Sequence, residues 1–220
     1  MSLIDNLVQE RWLKTPRIIE AFRKIKRMDF LSEDNKNFAE IDEPLPIGYS
    51  QTISQPLVVA FMLEKLQPQE GDRILDIGSG SGWTTALLAY CVSSENKPEI
   101  QNSKSKTKGK IIAIEVIPEL KEFGEKNTAK YNFIKKGIVK FICGDGSKGC
   151  EKKAPFDKIL ASATGEKIPQ AWKEQLKVGG RIVAPIKSSI WVLEKKSNRK
   201  FEETEYPGFV FVPLVKKNNK

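Results

Sequence analysis

The sequence predicts a single α/β domain over residues 1–220, in which a mostly parallel, seven-stranded sheet ends in an antiparallel hairpin at one edge. Two observations predict this fold class. Strand-like and helix-like segments alternate from residue 73 onward, and such alternation favours a parallel sheet with helices on both faces. The chain has 220 residues, 40% hydrophobic and 30% charged, which suits one medium domain with its own core.

A helical extension, residues 1–55, precedes the alternating part. Apolar residues within 17–28 recur at the spacing of one helical face. The stretch 43–56, EPLPIGYSQTISQP, is rich in turn-forming residues. Pro56 then opens a predicted helix, LVVAFMLEKL, because proline is well tolerated in the first helical turn.

Strands and helices follow in turn along the rest of the chain. The predicted strands are 73–77, 110–115, 138–142, 157–161, 181–186, 190–195 and 209–214, and the predicted helices are 83–92, 118–132 and 169–176. No helix separates the last two strands, which predicts that they form the antiparallel hairpin at the sheet edge.

Two segments are predicted to be flexible, and they hold most of the excess charge. Residues 93–109, SSENKPEIQNSKSKTKG, are poor in apolar residues and are expected to be an insertion, and 216–220 are expected to be a tail. Residues 93–110 contain five lysines and two glutamates (+3) and the tail contains three lysines (+3), together six of the nine excess charges. This distribution favours solubilising lysines, so no specific nucleic-acid partner is expected.

Cysteine and histidine usage excludes several kinds of site. The absence of histidine excludes an imidazole base and removes the commonest zinc ligand. The three cysteines, Cys91, Cys143 and Cys150, form no CxxC pair, so no metal site is predicted and free thiols in a reducing compartment are expected. No apolar run approaches the roughly 20 residues that cross a bilayer, and the N-terminus resembles no secretory signal. We therefore expect a cytoplasmic protein without membrane contact.

A glycine-rich loop follows the predicted strand RILDI and precedes a helix. Glycines there let the backbone turn tightly and approach a ligand at the carboxyl edge of the sheet. A dinucleotide-binding loop, G-x-G-x-x-G, would need glycine where the chain has Trp83. The observed G-x-G-x-G after an acid resembles the S-adenosylmethionine loop of class I methyltransferases. The residues expected to bind this cofactor are Asp76, Gly78, Ser79, Gly80, Ser81 and Gly82.

Two further acids come directly after predicted strands on the same sheet edge. Glu115 closes the strand KIIAIE, where an acid should accept hydrogen bonds from ribose hydroxyls. The alternative for Glu115 is capping of the helix that begins after Pro118. Asp145, followed by Gly146, comes after the strand IVKFI, where its carboxylate is expected to accept from the adenine amino group. With Asp76, these acids predict one cofactor site along the rim of the sheet.

Four stretches of the chain carry a family resemblance. They are PLPIGYSQTISQP at 44–56, LDIGSGSGWTTALLA at 75–89, IEVIPEL at 114–120, and Gly144-Asp145-Gly146 with Ala154-Pro155-Phe156-Asp157. Together they resemble the protein-L-isoaspartate O-methyltransferase family, over essentially the whole chain apart from the insertion and the tail. The resemblance implies a Rossmann-like class I methyltransferase fold, S-adenosylmethionine as cofactor, and repair of damaged proteins and peptides by methylation of their isoaspartyl carboxylates.

The resemblance also implies roles for residues of the N-terminal extension. It marks Ser54 as the catalytic residue, whose hydroxyl would orient the substrate carboxylate. It further implies that Thr52 and Ile53 bind substrate and that Gln51 binds cofactor. The alternative for Ser54 is that it caps the helix that begins at Pro56.

The chain departs from the family pattern at a few positions. Lys187 stands where a glycine usually follows the fifth strand, and Ile190 lies near a position often held by glutamine. Cys150 replaces an aromatic residue or valine, and residues 162–165 replace a more alanine-rich run. Except for Cys150, these departures are expected to touch the substrate side.

Methyl transfer to a carboxylate suits a chain without histidine. An aspartyl-type carboxyl has a pKa of about 3.9, so it is an anion at neutral pH and no base is needed. The rate then depends on alignment of the reacting atoms and exclusion of water. We expect a monomer that binds an extended peptide along a strand edge near 186–195.

Three alternatives are open at this point: a methyltransferase acting on RNA or DNA, one acting on a small molecule, and a binding protein without turnover. Methylation of base amino groups typically uses an (N/D)-P-P-(Y/F) segment, where this chain has residues 162–165, SATG. Cytosine-C5 methylation needs a cysteine after a proline, and none of the three cysteines follows one.

Overall fold

The computed structural model describes residues 2–93 and 109–214, arranged around a seven-stranded sheet. The predicted tail at 216–220 and all but the ends of the predicted insertion at 93–109 lie outside the described residues. The helices are α1 Leu3–Gln9, α2 Pro16–Lys24, α3 Pro56–Leu66, α4 Trp83–Val92, α5 Pro118–Ala129 and α6 Gln170–Gln175. The strands are β1 Leu45–Gly48, β2 Gln51–Ile53, β3 Arg73–Ile77, β4 Lys110–Glu115, β5 Val139–Cys143, β6 Phe156–Ala161, β7 Leu176–Ile186, β8 Ser189–Lys195 and β9 Phe201–Pro207. Within the described ranges, no helix has the length and apolarity that crossing a bilayer requires.

The strand order β5-β4-β3-β6-β7-β8-β9 confirms a mostly parallel sheet with an antiparallel edge. β5, β4, β3, β6 and β7 run parallel, whereas β8 pairs antiparallel with both β7 and β9. The order changes direction at β3, which has β4 on one side and β6 on the other. Open α/β sheets bind ligands at such a switch point, outside the carboxyl ends of the strands.

Alternate side chains of the central strands belong to two separate cores. Ile74 and Ile111 contribute to a cluster with the helices α2, α3 and α4. Leu75 and Ile112 contribute to a cluster that includes Trp172 of α6. Strands covered on both faces need near-continuous apolar runs, which explains the sequences RILDI and KIIAIE. The packed centre fixes the strand ends from which the site is built.

The seventh strand lies elsewhere than predicted. Residues 209–214 belong to no strand and make one isolated bridge, between Thr164 and Pro213. The hairpin partner of β8 is instead β9, FEETEYP, whose exposed glutamates give no apolar alternation. An edge strand needs little burial, so the periodicity that predicted the other strands is missing from this one.

Other boundaries differ for local reasons. The helix expected over 17–28 ends at Lys24 and is followed by a 3₁₀ turn, Arg27–Phe30. β7 begins at Leu176, five residues ahead of the predicted 181, directly after α6. The hairpin of β1 and β2 was not predicted. Its turn residues, Tyr49 and Ser50, have φ of 54° and 56°, and such turns usually carry Asn-Gly, so the sequence gives no signal for it.

The glycine loop after β3 packs directly against α5. Gly82 has φ of +85°, and a Cβ atom on Gly124 would lie 2.6 Å from the carbonyl oxygen of Gly80 and 3.1 Å from the amide nitrogen of Gly82. The backbone of α5 therefore touches the loop, and Gly124 permits the approach.

Gly124→Ala tests this contact. Alanine in a helix interior is normally favoured over glycine by about 1 kcal/mol, but here its methyl group would overlap the loop. We expect the clash to outweigh the helical preference and cost about 1–3 kcal/mol, as overpacking does. Thermal unfolding should then show a lower melting temperature, by about 2–4 °C per kcal/mol. A higher melting temperature would show that the two backbones are not in contact.

Candidate active site

A cleft opens at the carboxyl ends of β3, β4 and β6. Together with the solvent-open space at its mouth, the cleft spans about 730 Å³. Its walls come from the loops after these strands, from the β1–β2 hairpin and from the segment after β9. The predicted site residues that line it are Gln51, Thr52, Ile53, Ser54, Gly78, Ser79, Gly80, Ser81, Glu115 and Gly146.

The glycine loop is held to the end of β4 by backbone and carboxylate bonds. The carbonyl oxygen of Ile114 accepts from the amides of Gly78 at 2.9 Å and Ser79 at 3.2 Å. The carboxylate of Glu115 accepts from the amide of Gly80 at 2.9 Å. The two strand ends therefore form one continuous wall of the cleft.

Glu115 is only 6% exposed and lies in this wall. Its second oxygen accepts from the amides of Val116 at 2.8 Å and Ile117 at 3.1 Å. A carboxylate has about four lone-pair positions, so acceptor capacity is left after three bonds. Ile117 is the cap residue of α5, and no side chain caps that helix. Glu115 is therefore not a cap for α5 and can accept from ligand hydroxyls.

Asp76 lies beneath the glycine loop and is not among the residues that line the cleft. Its side chain points toward α4, where the hydroxyl of Thr85 donates to Oδ2 at 2.5 Å. Oδ1 has no partner within residues 2–93 and 109–214. Burial raises the pKa of Asp76 to about 7; the Thr85 bond opposes this rise and the nearby Glu115 adds to it. Alternation along β3 turns this side chain toward α4, behind the wall of the cleft, and its expected contact with the cofactor stays a prediction.

Two other predicted residues shape the loops without lining the cleft, Gly82 and Asp145. Oδ1 of Asp145 accepts from the amide of Ser147 at 2.9 Å and from its hydroxyl at 2.7 Å, which caps a 3₁₀ turn. The neighbours Gly144 and Gly146 do line the cleft. The Asp145 carboxylate is thus not in the wall where a direct bond to adenine was expected, because it is turned toward its own loop.

Ser54 lines the cleft directly after β2. Its backbone oxygen accepts from Arg27, and its hydroxyl has no hydrogen bond to any described residue. The cap residue of α3 is Gln55, and the amide of Leu57 donates to Asp42 at 2.8 Å. Ser54 is therefore not the helix cap, and its hydroxyl is available to a ligand.

Three buried polar atoms beside the cleft lack partners in the described part of the chain: Asp76 Oδ1, Ser79 Oγ and Trp83 Nε1. Buried polar atoms normally have partners, so these mark places where the polar groups of a ligand fit. A hydroxyl and an indole N–H can donate to a carboxylate, while a nearby buried acid favours an ammonium group. Glu115 suits ribose hydroxyls, and an apolar wall suits a base, formed by Val116, Ile117 and Leu120. The residues present therefore fit S-adenosylmethionine.

Several residues of the wall were not predicted from the sequence. Trp83 lines the cleft at the start of α4, and Val116, Ile117 and Leu120 lie in the stretch IEVIPEL, in which only the acid was singled out. Residues 212–214 also line the cleft. The apolar run FVPLV predicts a strand. In the structure this segment instead bonds to the backbone of Thr164 beside the cleft.

Comparisons with known proteins match this chain to one family. Residues 1–219 match the sequence profile of the family described as protein-L-isoaspartate(D-aspartate) O-methyltransferase. A protein-L-isoaspartate O-methyltransferase 2 of Archaeoglobus fulgidus is 40% identical, covering 96% of this chain and 90% of that protein. A protein-L-isoaspartate O-methyltransferase of Pyrococcus abyssi is 39% identical, covering 96% of this chain and 92% of that protein.

Solved structures share the fold. A Plasmodium falciparum protein described as a protein-L-isoaspartate O-methyltransferase, in complex with S-adenosyl-L-homocysteine, superposes with a TM-score of 0.83 at 22% identity, covering 98% of this chain and 97% of that one. A second protein-L-isoaspartate O-methyltransferase gives a TM-score of 0.82 at 24% identity, covering 97% and 65%. The predicted Rossmann-like class I methyltransferase fold is confirmed.

The raised pKa of Asp76 predicts how stability depends on pH. The folded protein keeps a proton up to about pH 7 that the unfolded chain, with a pKa of 3.8, has already lost. Stability from this group is therefore highest at low pH and falls as pH rises between these two values. Asp76→Asn is neutral throughout and can still accept from Thr85. Its gain in melting temperature over the wild type should be larger at pH 8 than at pH 5, and equal gains would contradict the raised pKa.

Proposed function

The chain belongs to the protein-L-isoaspartate(D-aspartate) O-methyltransferase family, and from that premise we propose how its cleft performs the reaction. The enzyme transfers a methyl group from S-adenosylmethionine to the carboxylate of isoaspartyl residues in damaged proteins. The observation that carries the proposal is the hydroxyl of Ser54, which has no hydrogen-bond partner among the described residues and lies in the same cleft as the glycine loop and Glu115.

The cofactor is held by residues of the strand ends. We assign the ribose hydroxyls to Glu115 and the amino-acid end to Ser79 and Trp83, with the buried charge of Asp76 beneath the loop. The base lies against the apolar wall near Gly146, and Asp145 keeps that loop in place. When bound, S-adenosylmethionine supplies an electrophilic methyl group attached to a sulfonium.

Ser54 orients the acceptor. The substrate carboxylate, with a pKa of about 3.9, is already ionised at neutral pH. The Ser54 hydroxyl donates to one carboxylate oxygen and leaves the other directed at the methyl group. Nothing in this step removes a proton, so the absence of histidine costs the enzyme no catalytic group. Positioning and a dry cleft supply the rate.

The peptide enters at the mouth of the cleft. β8 is paired on both sides, by β7 and by β9, so the strand edge expected near 186–195 is not free and that expectation is wrong. Thr52, in β2, and Pro213, in the segment after β9, are both exposed and both line the cleft. We assign the peptide backbone to the space between these two segments, next to Ser54.

The departures from the family pattern have little effect on this arrangement. Ile190 is fully buried in β8, so it cannot touch a peptide. Lys187 has φ of +53° in the turn between β7 and β8, a conformation that explains the glycine usual at this position. Among the altered residues only Ser162 and Ala163 line the cleft.

We further propose that the enzyme acts as a monomer in the cytoplasm, without a nucleic-acid partner. The described residues that line the cleft fit each part of the cofactor, so no residue of a second subunit is needed to complete it. Cys143 is an exposed free thiol, which is typical of a reducing compartment.

The function is tested with paired peptides. An isoaspartyl peptide and its normal aspartyl counterpart are incubated with the enzyme and labelled S-adenosylmethionine. We expect label on the isoaspartyl peptide alone, lost under mild alkali because carboxyl methyl esters hydrolyse there. Equal labelling of both peptides, or labelling of an RNA control instead, would refute the proposed substrate.

Ser54→Ala tests the catalytic assignment. Loss of one positioned donor typically lowers kcat by about 10²–10³-fold. Binding of S-adenosylhomocysteine, measured by calorimetry, should be unchanged, because the hydroxyl contacts the acceptor. Ser189→Ala, which removes a hydroxyl bonded to Glu205 on the outer strands, is the control and should keep full turnover. Unchanged kcat in Ser54→Ala would exclude the assigned role.

A further inference from the structure

Arg27 is a buried arginine whose hydrogen-bond partners are all backbone carbonyl groups. It is 6% exposed. Nη1 donates to Ala39 at 3.2 Å and to Ile41 at 2.9 Å, and Nη2 donates to Glu43 at 2.6 Å and to Ser54 at 3.3 Å. One guanidinium thus ties the 39–43 segment to the residue that bears the catalytic hydroxyl.

Burial of this guanidinium costs folding free energy, which argues that Arg27 does more than fill space. Burial lowers the pKa of Arg27 to about 10, against the opposing influence of Asp42 and Glu40. Nε has no partner among the described residues. A buried charge is expensive even when it is hydrogen-bonded, and a hydrophobic side chain could fill the same space more cheaply. Only the forked guanidinium, with five donors in fixed geometry, can hold several carbonyl groups at once.

Asp42, within the segment that Arg27 holds, fixes the chain on the other side of Ser54. Its Oδ1 accepts from the amide of Leu57 at 2.8 Å, and its Oδ2 accepts from the Gln55 side chain at 3.2 Å. Asp42 therefore caps α3 from a distance. The backbone of Ser54 is bound by Arg27 at its carbonyl group and by Asp42 through the two residues that open the helix.

Arg27 also contacts the opposite wall of the cleft. Its guanidinium carbon lies 5.5 Å from the ring centroid of Trp83, within the range of a cation–π contact. Trp83 lines the cleft at the start of α4. The same side chain thus links the Ser54 segment to the wall that carries the glycine loop.

We propose that Arg27 and Asp42 are positioning residues that set the location of the Ser54 hydroxyl relative to the cofactor. They touch neither substrate nor cofactor and act through the backbone around Ser54. This inference rests on the proposed role of Ser54. A displacement of about 1 Å at the reacting atoms is enough to cost about 10²-fold in rate.

Arg27→Lys is the first variant, because it keeps the charge but cannot reach four carbonyl groups. Its matched control is Arg181→Lys. Arg181 is half-buried, donates to the backbone oxygen of Lys65 at 2.6 Å and pairs with Glu194. Like Arg27, it leaves Nε without a partner in the described part. Neither Arg181 nor these two partners line the cleft. Both variants are assayed below their melting temperatures, with kcat, peptide KM and the S-adenosylhomocysteine dissociation constant measured.

We expect Arg27→Lys to lower kcat by about 10–10²-fold, with the S-adenosylhomocysteine dissociation constant changed by less than about three-fold. Arg181→Lys should lose stability but keep its kcat. If kcat is unchanged in folded Arg27→Lys, or if kcat and cofactor affinity fall equally, Arg27 has only a structural role. If Arg27→Lys does not fold, the same measurements are made on Asp42→Asn, which places an amide N–H opposite Gln55 and has the same expected outcome.

A double mutant separates this inference from the proposed function. If Arg27 acts through Ser54, the effects are not additive, and Arg27→Lys adds little to Ser54→Ala. Additive losses would overturn the inference and leave the role of Ser54 intact. Full turnover in Ser54→Ala would exclude the Ser54 assignment itself, and a slow Arg27→Lys beside it would show that Arg27 acts by another route.

Discussion

The site depends on the bond between the glycine loop and the end of β4. Gly78 and Ser79 donate to the carbonyl oxygen of Ile114, and Gly80 donates to Glu115. These bonds join two parallel strand ends into one surface, and Gly124 of α5 supports the loop from the other side. A loop without glycine could not approach β4 and α5 together. Backbone contacts therefore determine the shape of the cleft. The side chains that line it project from a wall whose position those contacts fix.

Two buried acids, Asp76 and Glu115, lie close together beside the cleft. Glu115 accepts from three backbone amides, whereas Asp76 accepts from one hydroxyl and its other oxygen has no partner among the described residues. Burial therefore raises the pKa of Asp76, and the nearby Glu115 adds to this rise. A cationic group bound beside these acids would favour the ionised form of Asp76. Similar reasoning applies to Arg27, whose buried charge is held in place by backbone oxygens.

Much of the fold could be predicted from the sequence, because the central strands are covered on both faces and their apolar runs are unmistakable. α4, β3 and β4 have the predicted bounds, and the alternation of elements predicted the parallel sheet. β9 could not be predicted, since it is an edge strand without an apolar face. The β1–β2 hairpin was missed because Tyr49 and Ser50 adopt positive φ without the usual turn residues.

The candidate site was predicted less completely than the fold. Position along the chain indicated that Asp76 and Asp145 lie near the rim, but it could not show which way their side chains point. Asp76 is turned toward Thr85 by alternation along β3, and Asp145 is turned toward Ser147 by its own loop. The roles proposed for Arg27 and Asp42 depend on hydrogen bonds between residues far apart in the sequence, and no local sequence pattern predicts these bonds.

The glutamates of β9 affect whether other chains can pair with this edge of the sheet. An open sheet edge is a template on which another extended chain can pair, and charged side chains along it oppose such pairing. Glu202, Glu203 and Glu205 are all exposed on this free edge. The acidic side chains of β9 therefore oppose pairing of this sheet edge with extended segments of other chains.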